Sequence, residues 1–188
     1  MSQIRLDALD LPLAGLGTAE FESERPAHAE TLHLFDTCGI SLFRYVRSLG
    51  LDADSARDVV QETFLALFRH LRLERPRDNL KGWIFRVAHN LSLKHRARLK
   101  QRQTDAVPDE VLAQLVVDPA LNPEERLAEE QRVARLRAVM RALPERDRQC
   151  LVLRAEGLRY REIAAVLGVS LGLVSKSLTR AFARLGHV

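Results

Sequence analysis

Cysteine is scarce: Cys38 and Cys150 are the only two in 188 residues. That excludes a disulfide-stapled secreted domain and fits a reducing compartment, so a cytoplasmic protein is expected. Glycine (nine), proline (seven) and aromatic residues (ten) are also few. Sandwiches, barrels and collagen-like arrays need turn or repeat residues that this chain does not supply. No run of ~18 apolar residues occurs, so no membrane-spanning helix and no membrane partner are expected. Arg5, Asp7 and Asp10 interrupt the apolar N-terminal stretch, which is unlike a secretory signal. The common catalytic signatures are missing too: no Gly-rich phosphate loop, no nucleophile elbow, no HExxH. His33 with Cys38, and His89 beside Asn90, lack the partners a metal centre requires. No enzyme activity, metal, cofactor or small-molecule substrate is therefore expected.

What the chain does have is a surplus of helix formers. Hydrophobic residues make up 46% and charged residues 29%, with Ala, Leu and Arg dominant. This composition predicts an all-α protein of one ordinary domain or two small ones. The net charge of +4 is unevenly spread. Residues 1–30 carry −4 and residues 31–72 are neutral, residues 73–102 carry +7, residues 103–130 carry −7 and residues 131–188 carry +8. Two basic blocks flank an acidic one, so a polyanion could be gripped at two places.

Residues 1–28 lack a sustained period and contain Pro12, Gly15, Gly17 and Pro26, which predicts a flexible acidic tail. From Glu30 the apolar residues Leu32, Phe35, Leu42, Phe43, Val46 and Leu49 keep helical spacing up to Gly50. Asp52 or Asp54 can cap a second helix bearing Val59, Val60, Phe64, Leu67, Phe68 and Leu71. A loop, Leu73 to Asn79, precedes a third helix that Asn79 can cap, with Leu80, Trp83, Ile84, Val87 and Leu91 inward and a strongly basic end. Residues 103–122, with Pro108 and Pro119, form an acidic linker. Asn122-Pro123-Glu124-Glu125 is a strong helix start, with Asn as cap and Pro at the first helical position. That helix, with Leu127, Leu136, Val139 and Met140 inward, stops at Pro144. Three shorter helices follow, punctuated by Gly157 and Gly168, and Ser170 caps the last one. Its inner face is expected to carry Val174, Leu178, Phe182 and Leu185.

Tyr160 to Leu185 combines a short amphipathic helix, Gly168, a tight turn and a longer helix, the helix-turn-helix pattern. Its second helix would offer its N-terminal half to the major groove. The candidate residues there are Ser170, Leu171, Ser175, Lys176, Thr179 and Arg180, several of which can donate to base edges or phosphates.

Five stretches in this order resemble the extracytoplasmic-function (ECF) class of bacterial RNA polymerase sigma factors, within the sigma-70 family. They are Asp58-Val-Val-Gln-Glu-Thr-Phe-Leu-Ala-Leu-Phe68, Leu80-Lys-Gly-Trp-Ile-Phe-Arg-Val-Ala-His-Asn90, Asn122-Pro-Glu-Glu125, Leu143-Pro-Glu-Arg-Asp-Arg148 and Glu156-Gly-Leu-Arg-Tyr-Arg-Glu-Ile-Ala164. The resemblance covers roughly residues 30–185. It implies two small helical domains: a three-helix, region-2-like domain over 29–102 and a helix-turn-helix, region-4-like domain over 123–188, joined by the flexible linker 103–122. It also implies core RNA polymerase, through the clamp of its largest subunit, promoter DNA and an anti-sigma factor as partners.

By that resemblance, Asp58, Gln61, Glu62 and Leu65 would face the polymerase clamp. The loop and third helix would read the −10 element, with Arg75, Arg77 and Asn79 in the loop and Arg86, Asn90, Lys94 and Arg98 on the helix. Asn90 has a donor and an acceptor for a base edge, and the cations suit phosphates. Trp83 fits either a melting wedge or, by its spacing to Val87 and Leu91, the core. The last helix would read the −35 element, but it departs from the family pattern. Gly172-Leu-Val-Ser-Lys-Ser-Leu178 has Ser175 and Ser177 at two usually basic positions. Two other readings remain open: a stand-alone helix-turn-helix regulator, or a sigma-like adaptor that has lost promoter reading. The twenty-residue linker could reach ~70 Å when extended, more than the ~50 Å between sites one and a half turns apart on DNA.

Overall fold

The structure is a computed structural model that describes residues 18–102 and 123–186. The expected acidic linker therefore lies outside the described residues, as do residues 1–17 of the expected tail. Seven helices make up the described residues: α1 (Thr18–Ser48), α2 (Ala53–Arg72), α3 (Leu80–Arg102), α4 (Pro123–Ala142), α5 (Glu145–Ala155), α6 (Tyr160–Leu167) and α7 (Leu171–Leu185).

The first three helices form one lobe. α2 starts where Asp52 accepts a hydrogen bond from the Ser55 backbone N–H at 2.8 Å, occupying one of the donors a helix start leaves open. Its apolar stripe buries Val59, Val60, Phe64, Leu67 and Leu71 against Leu42, Tyr45 and Val46 of α1 and Leu49 of the turn that follows it. α3 closes the lobe with Ile84, Phe85 and Ala88, and the Tyr45 and Phe85 rings lie 5.5 Å apart. Asn79 sits in the left-handed region at φ 53 and accepts from the Gly82 N–H at 3.1 Å. Asn tolerates that conformation better than most residues, so cap and turn coincide at one position.

The last four helices form the second lobe. The α6–α7 corner turns on Gly168, at φ 64, where a side chain would be strained. Leu143, Leu151 and Ala181 pack with Met140 and Leu185 where α4 and α5 meet α7. Among the described side chains of α4, Val133 is the most buried, whereas Leu136, Val139 and Met140 are half-buried; the expected inward Leu127 lies outside the described side chains.

Two expectations need correction. Residues 18–28, assigned to the flexible tail, belong to α1, which continues through Pro26. Proline there forfeits one helical hydrogen bond, but Ala27 is buried in the core and Thr31 Oγ1 donates to its carbonyl at 2.7 Å, so packing holds the turn. Phe182 is not on the inner face of α7. It is half exposed, and Ala181 and Ser177 face inward instead, because α5 approaches closely enough to admit only small side chains. The two lobes also pack against each other. α6 packs on α3 and α5 on α1, and one apolar core runs from Leu42 and Phe85 into Leu153, Leu158 and Ile163. Lys81 Nζ donates to the Glu156 carbonyl at 2.7 Å, Arg96 meets Glu145 at 2.6 Å and Arg44 meets Glu156 at 3.5 Å across the same seam.

Candidate nucleic-acid interface

α3 divides its polar residues between two faces. Ile84, Phe85, Ala88, His89 and Ser92 point inward, and Ser92 Oγ donates to the Ala88 carbonyl at 2.7 Å rather than to a partner. Burial holds His89 below the usual imidazole value, against the nearby Glu145 carboxylate that pulls it up, while Arg96 adds to the depression. Its Nδ1 lies 2.8 Å from the Tyr45 hydroxyl, which burial keeps protonated and therefore able to donate. On the opposite face Arg86, Asn90, Lys94 and Arg98 are all exposed at intervals of four residues, one helical turn apart. The structure thus brings the four helix candidates together as one row. Lys81 and Arg96 of the same helix serve the seam between lobes.

The loop before α3 is shaped from behind. His70 lies with Nε2 2.8 Å from the Pro76 carbonyl, and its ring sits 4.7 Å from that of Trp83. Trp83 is half-buried against the core. Arg75 and Asn79 are exposed in the loop, whereas Arg77 pairs with Glu30 of α1 at 3.0 Å. The loop therefore offers one candidate cation outward and commits another to α1.

α7 starts on Ser170, whose hydroxyl accepts from the Leu173 N–H at 3.3 Å. Ser170 and Leu171 are exposed at its start, and Ser175, Lys176 and Thr179 further along, with Thr179 Oγ1 bonded to the Ser175 carbonyl at 3.0 Å. Arg180 differs from the rest of this set. Its guanidinium makes a two-pronged pair with Asp147 of α5, at 2.9 and 2.7 Å. Arg180 Nη2 lies 3.3 Å from the Ser177 hydroxyl. Half of the Arg180 side chain stays exposed, but Asp147 is buried, so this cation fixes α7 to α5. The guanidinium holds the Asp147 carboxyl below the usual carboxylate range. Sequence reasoning missed Asp147. The available signal was an acid at the inward spacing of α5, three and four residues before Cys150 and Leu151. Ser177 is buried and so does not belong to the outward face.

α2 presents Asp58, Gln61, Glu62 and Leu65, all exposed, at i, i+3, i+4 and i+7 on one face. Beside them Leu32, Phe35 and Ile40 of α1 are also exposed, which makes a contiguous apolar surface of the kind proteins use to meet proteins. This extension onto α1 was not visible in the sequence, where Leu32 and Phe35 read as core. Among the described residues, no single helix is long and apolar enough to cross a membrane, and no cluster of three or more His, Cys, Asp or Glu could hold a metal.

Two family models match: Sigma-70 region 2 over residues 34–102 and Sigma-70, region 4 over residues 133–185. The chain is similar to the ECF RNA polymerase sigma factor SigE of Mycolicibacterium smegmatis, at 34% identity over 74% of this chain and 53% of that longer relative. It is similar to the RNA polymerase sigma factor CnrH of Cupriavidus metallidurans, at 32% identity over 78% of this chain and 80% of the relative. Among solved structures, the sigma factor RpoE of Bartonella quintana, in complex with the anti-sigma factor NepR, superimposes with a TM-score of 0.57. That match has 22% identity and covers 83% of this chain and 93% of that one, which is a likeness of fold.

Proposed function

The chain belongs to the sigma-70 family of RNA polymerase sigma factors, in its ECF class, and from that premise we propose how its surfaces divide the work of starting transcription. The N-terminal lobe, residues 29–102, docks on the polymerase through Asp58, Gln61, Glu62 and Leu65. It reads the −10 element with Arg75 and Asn79 of the loop and with Arg86, Asn90, Lys94 and Arg98 of α3. The C-terminal lobe, residues 123–188, reads the −35 element through Ser170, Leu171, Ser175, Lys176 and Thr179, while Arg180 and Asp147 set the angle of α7. The observation that carries this reading is the pair of outward faces, on α3 and α7, each rich in donors and each backed by its own packed helices.

Chemistry divides the α3 row further. Arg86, Lys94 and Arg98 suit phosphates, which give affinity and salt dependence. Asn90 can bond a base edge in two directions, which gives sequence preference. A base lifted from the stack costs a few kcal/mol, and a pocket at the loop offsets part of that cost.

The packed lobes bear on this function. α6 lies between α3 and α7, so the two readers are separated by about 20 Å at 8–10 Å per helix layer. Promoter elements one and a half turns apart lie about 50 Å from each other. The lobes therefore part at the α3–α6 seam when both elements are engaged, and a linker of twenty residues has the reach. An anti-sigma factor holds the protein inactive by covering the polymerase-facing surface; the fold likeness to a factor solved with NepR supports this.

Run-off transcription with core polymerase tests the proposal. Accurate initiation appears only when the chain is added. If about six phosphates are held, promoter affinity falls with salt at a log–log slope near −5. Lys94→Ala and Arg98→Ala each flatten the slope by about one unit, whereas Asn90→Ala changes the preferred sequence. Binding to duplex DNA alone, with no effect on polymerase, would return the reading to a stand-alone regulator.

A further inference from the structure

Between α1 and α2 lies an open apolar groove of about 800 Å³. Leu32, Phe35, Ile40 and Phe43 line it from α1, Leu65 and Phe68 from α2. Ile40 is 74% exposed, and Leu32, Phe35 and Leu65 are each about half exposed. Four large apolar side chains in one hollow form a surface that water disfavours, unlike apolar residues scattered singly.

We propose that residues 6–13 of the same chain dock in this groove and compete with the polymerase for α2. The inference rests on the assignment of α2 as the polymerase-facing helix, since Gln61 and Leu65 belong to both surfaces. The segment is Leu6-Asp-Ala-Leu9-Asp-Leu11-Pro12-Leu13, with four leucines in eight residues. Pro12 disfavours a continuous helix, and Leu9, Leu11 and Leu13 alternate, so an extended strip with one apolar edge is the natural form.

The lengths agree. The groove begins at His28, ten residues or ~15 Å along α1 from its start at Thr18, and runs to Phe43, a further ~22 Å. Residues 14–17 span ~13 Å when extended, which brings Leu13 back to the His28 end. Gly15 and Gly17 permit that reversal. Residues 6–13 then cover ~23 Å, the length of the groove. Tethering puts the segment at a local concentration of several millimolar. With an intrinsic constant of about 1 mM, the groove is occupied roughly four-fifths of the time, and the polymerase binds about fivefold more weakly than to an open groove.

Two full-length variants test this. The first pairs Leu11→Cys with Leu32→Cys, the groove residue level with it, and its control pairs Leu11→Cys with Arg69→Cys, an exposed position on α2 outside the groove. Under mild oxidation the first forms an intramolecular disulfide at least about tenfold faster than the control. Equal rates, or a cross-linked dimer that would make a second copy the occupant, overturn the docking. The second variant, Leu9→Asp with Leu11→Asp and Leu13→Asp, binds core polymerase about fivefold more tightly than the parent. Equal tight binding by parent and variant overturns the competition. If neither binds polymerase, the assignment of α2 fails instead, and the cross-link still decides whether the segment docks.

Discussion

The two lobes are stabilised by different means. The N-terminal lobe relies on bulk: Tyr45, Phe85, Leu42, Leu67 and Leu71 are buried completely or nearly so, on helices of 20 residues or more. The C-terminal lobe has three shorter helices, α5 to α7, and relies on their ends. Glu162 accepts from the Arg159 N–H at 2.5 Å to start α6, Ser170 starts α7, and the Asp147–Arg180 pair clamps α7 to α5. Apolar burial is not screened by moderate ionic strength, whereas ion pairs are. The lobe that bears on the −35 element should therefore be the one that added salt disturbs first.

Four experiments would break or sharpen that contrast. Leu67→Ala empties a fully buried site and should cost about 3 kcal/mol in urea unfolding, the largest loss. A loss of under 1 kcal/mol would mean that the N-terminal core is not close-packed. Asp147→Asn should come next, with a lower melting temperature and weaker −35 binding, because it removes a charge-assisted bond from Arg180 while Asp147 stays buried.

The same pair sets an acid limit. The Asp147 carboxyl has a lower value folded than unfolded, so its stabilisation is complete above the ordinary carboxylate range and fades as pH falls through the folded value. Asp147→Asn should remove that part of the acid-induced loss, which pH-dependent melting below about pH 4 would reveal. His89 acts in a milder range. Its folded value is also depressed, so the unfolded chain takes the proton first and stability declines as pH drops below about 6.5. His89→Gln should flatten the melting curve between about pH 5 and 7. Ser170→Ala should have the smallest effect, about 1 kcal/mol, and should lower −35 binding without changing polymerase affinity.

Local signals in the sequence were readable and long-range ones were not. Asp52, Asn79 and Ser170 cap the helices that their side-chain chemistry predicts, and Gly168 ends α6 where expected. Those features depend on residues within one turn of each other. The row Arg86, Asn90, Lys94 and Arg98 was legible for the same reason, since a helix fixes which positions share a face. Pro26 misled because its local penalty was outweighed by packing around Ala27, a tertiary effect. Arg180 read as a free cation because its partner is 33 residues away on another helix. The seam between lobes had no periodic trace either. Lys81, Arg96 and Glu156 look like ordinary surface charges until the two ends of α5 are brought against α3.

The continuous core has a practical corollary. Cys150 is completely buried on α5, and burial pushes its thiol above the usual value, so it should resist alkylation while the molecule stays closed. It shares the core with Tyr45 of α1, beside the seam that the proposed promoter engagement would open. With Cys38 replaced by serine, a thiol-reactive dye becomes a clock for that opening. The labelling rate would count how often the molecule unclasps, with and without DNA, one sulfur atom at a time.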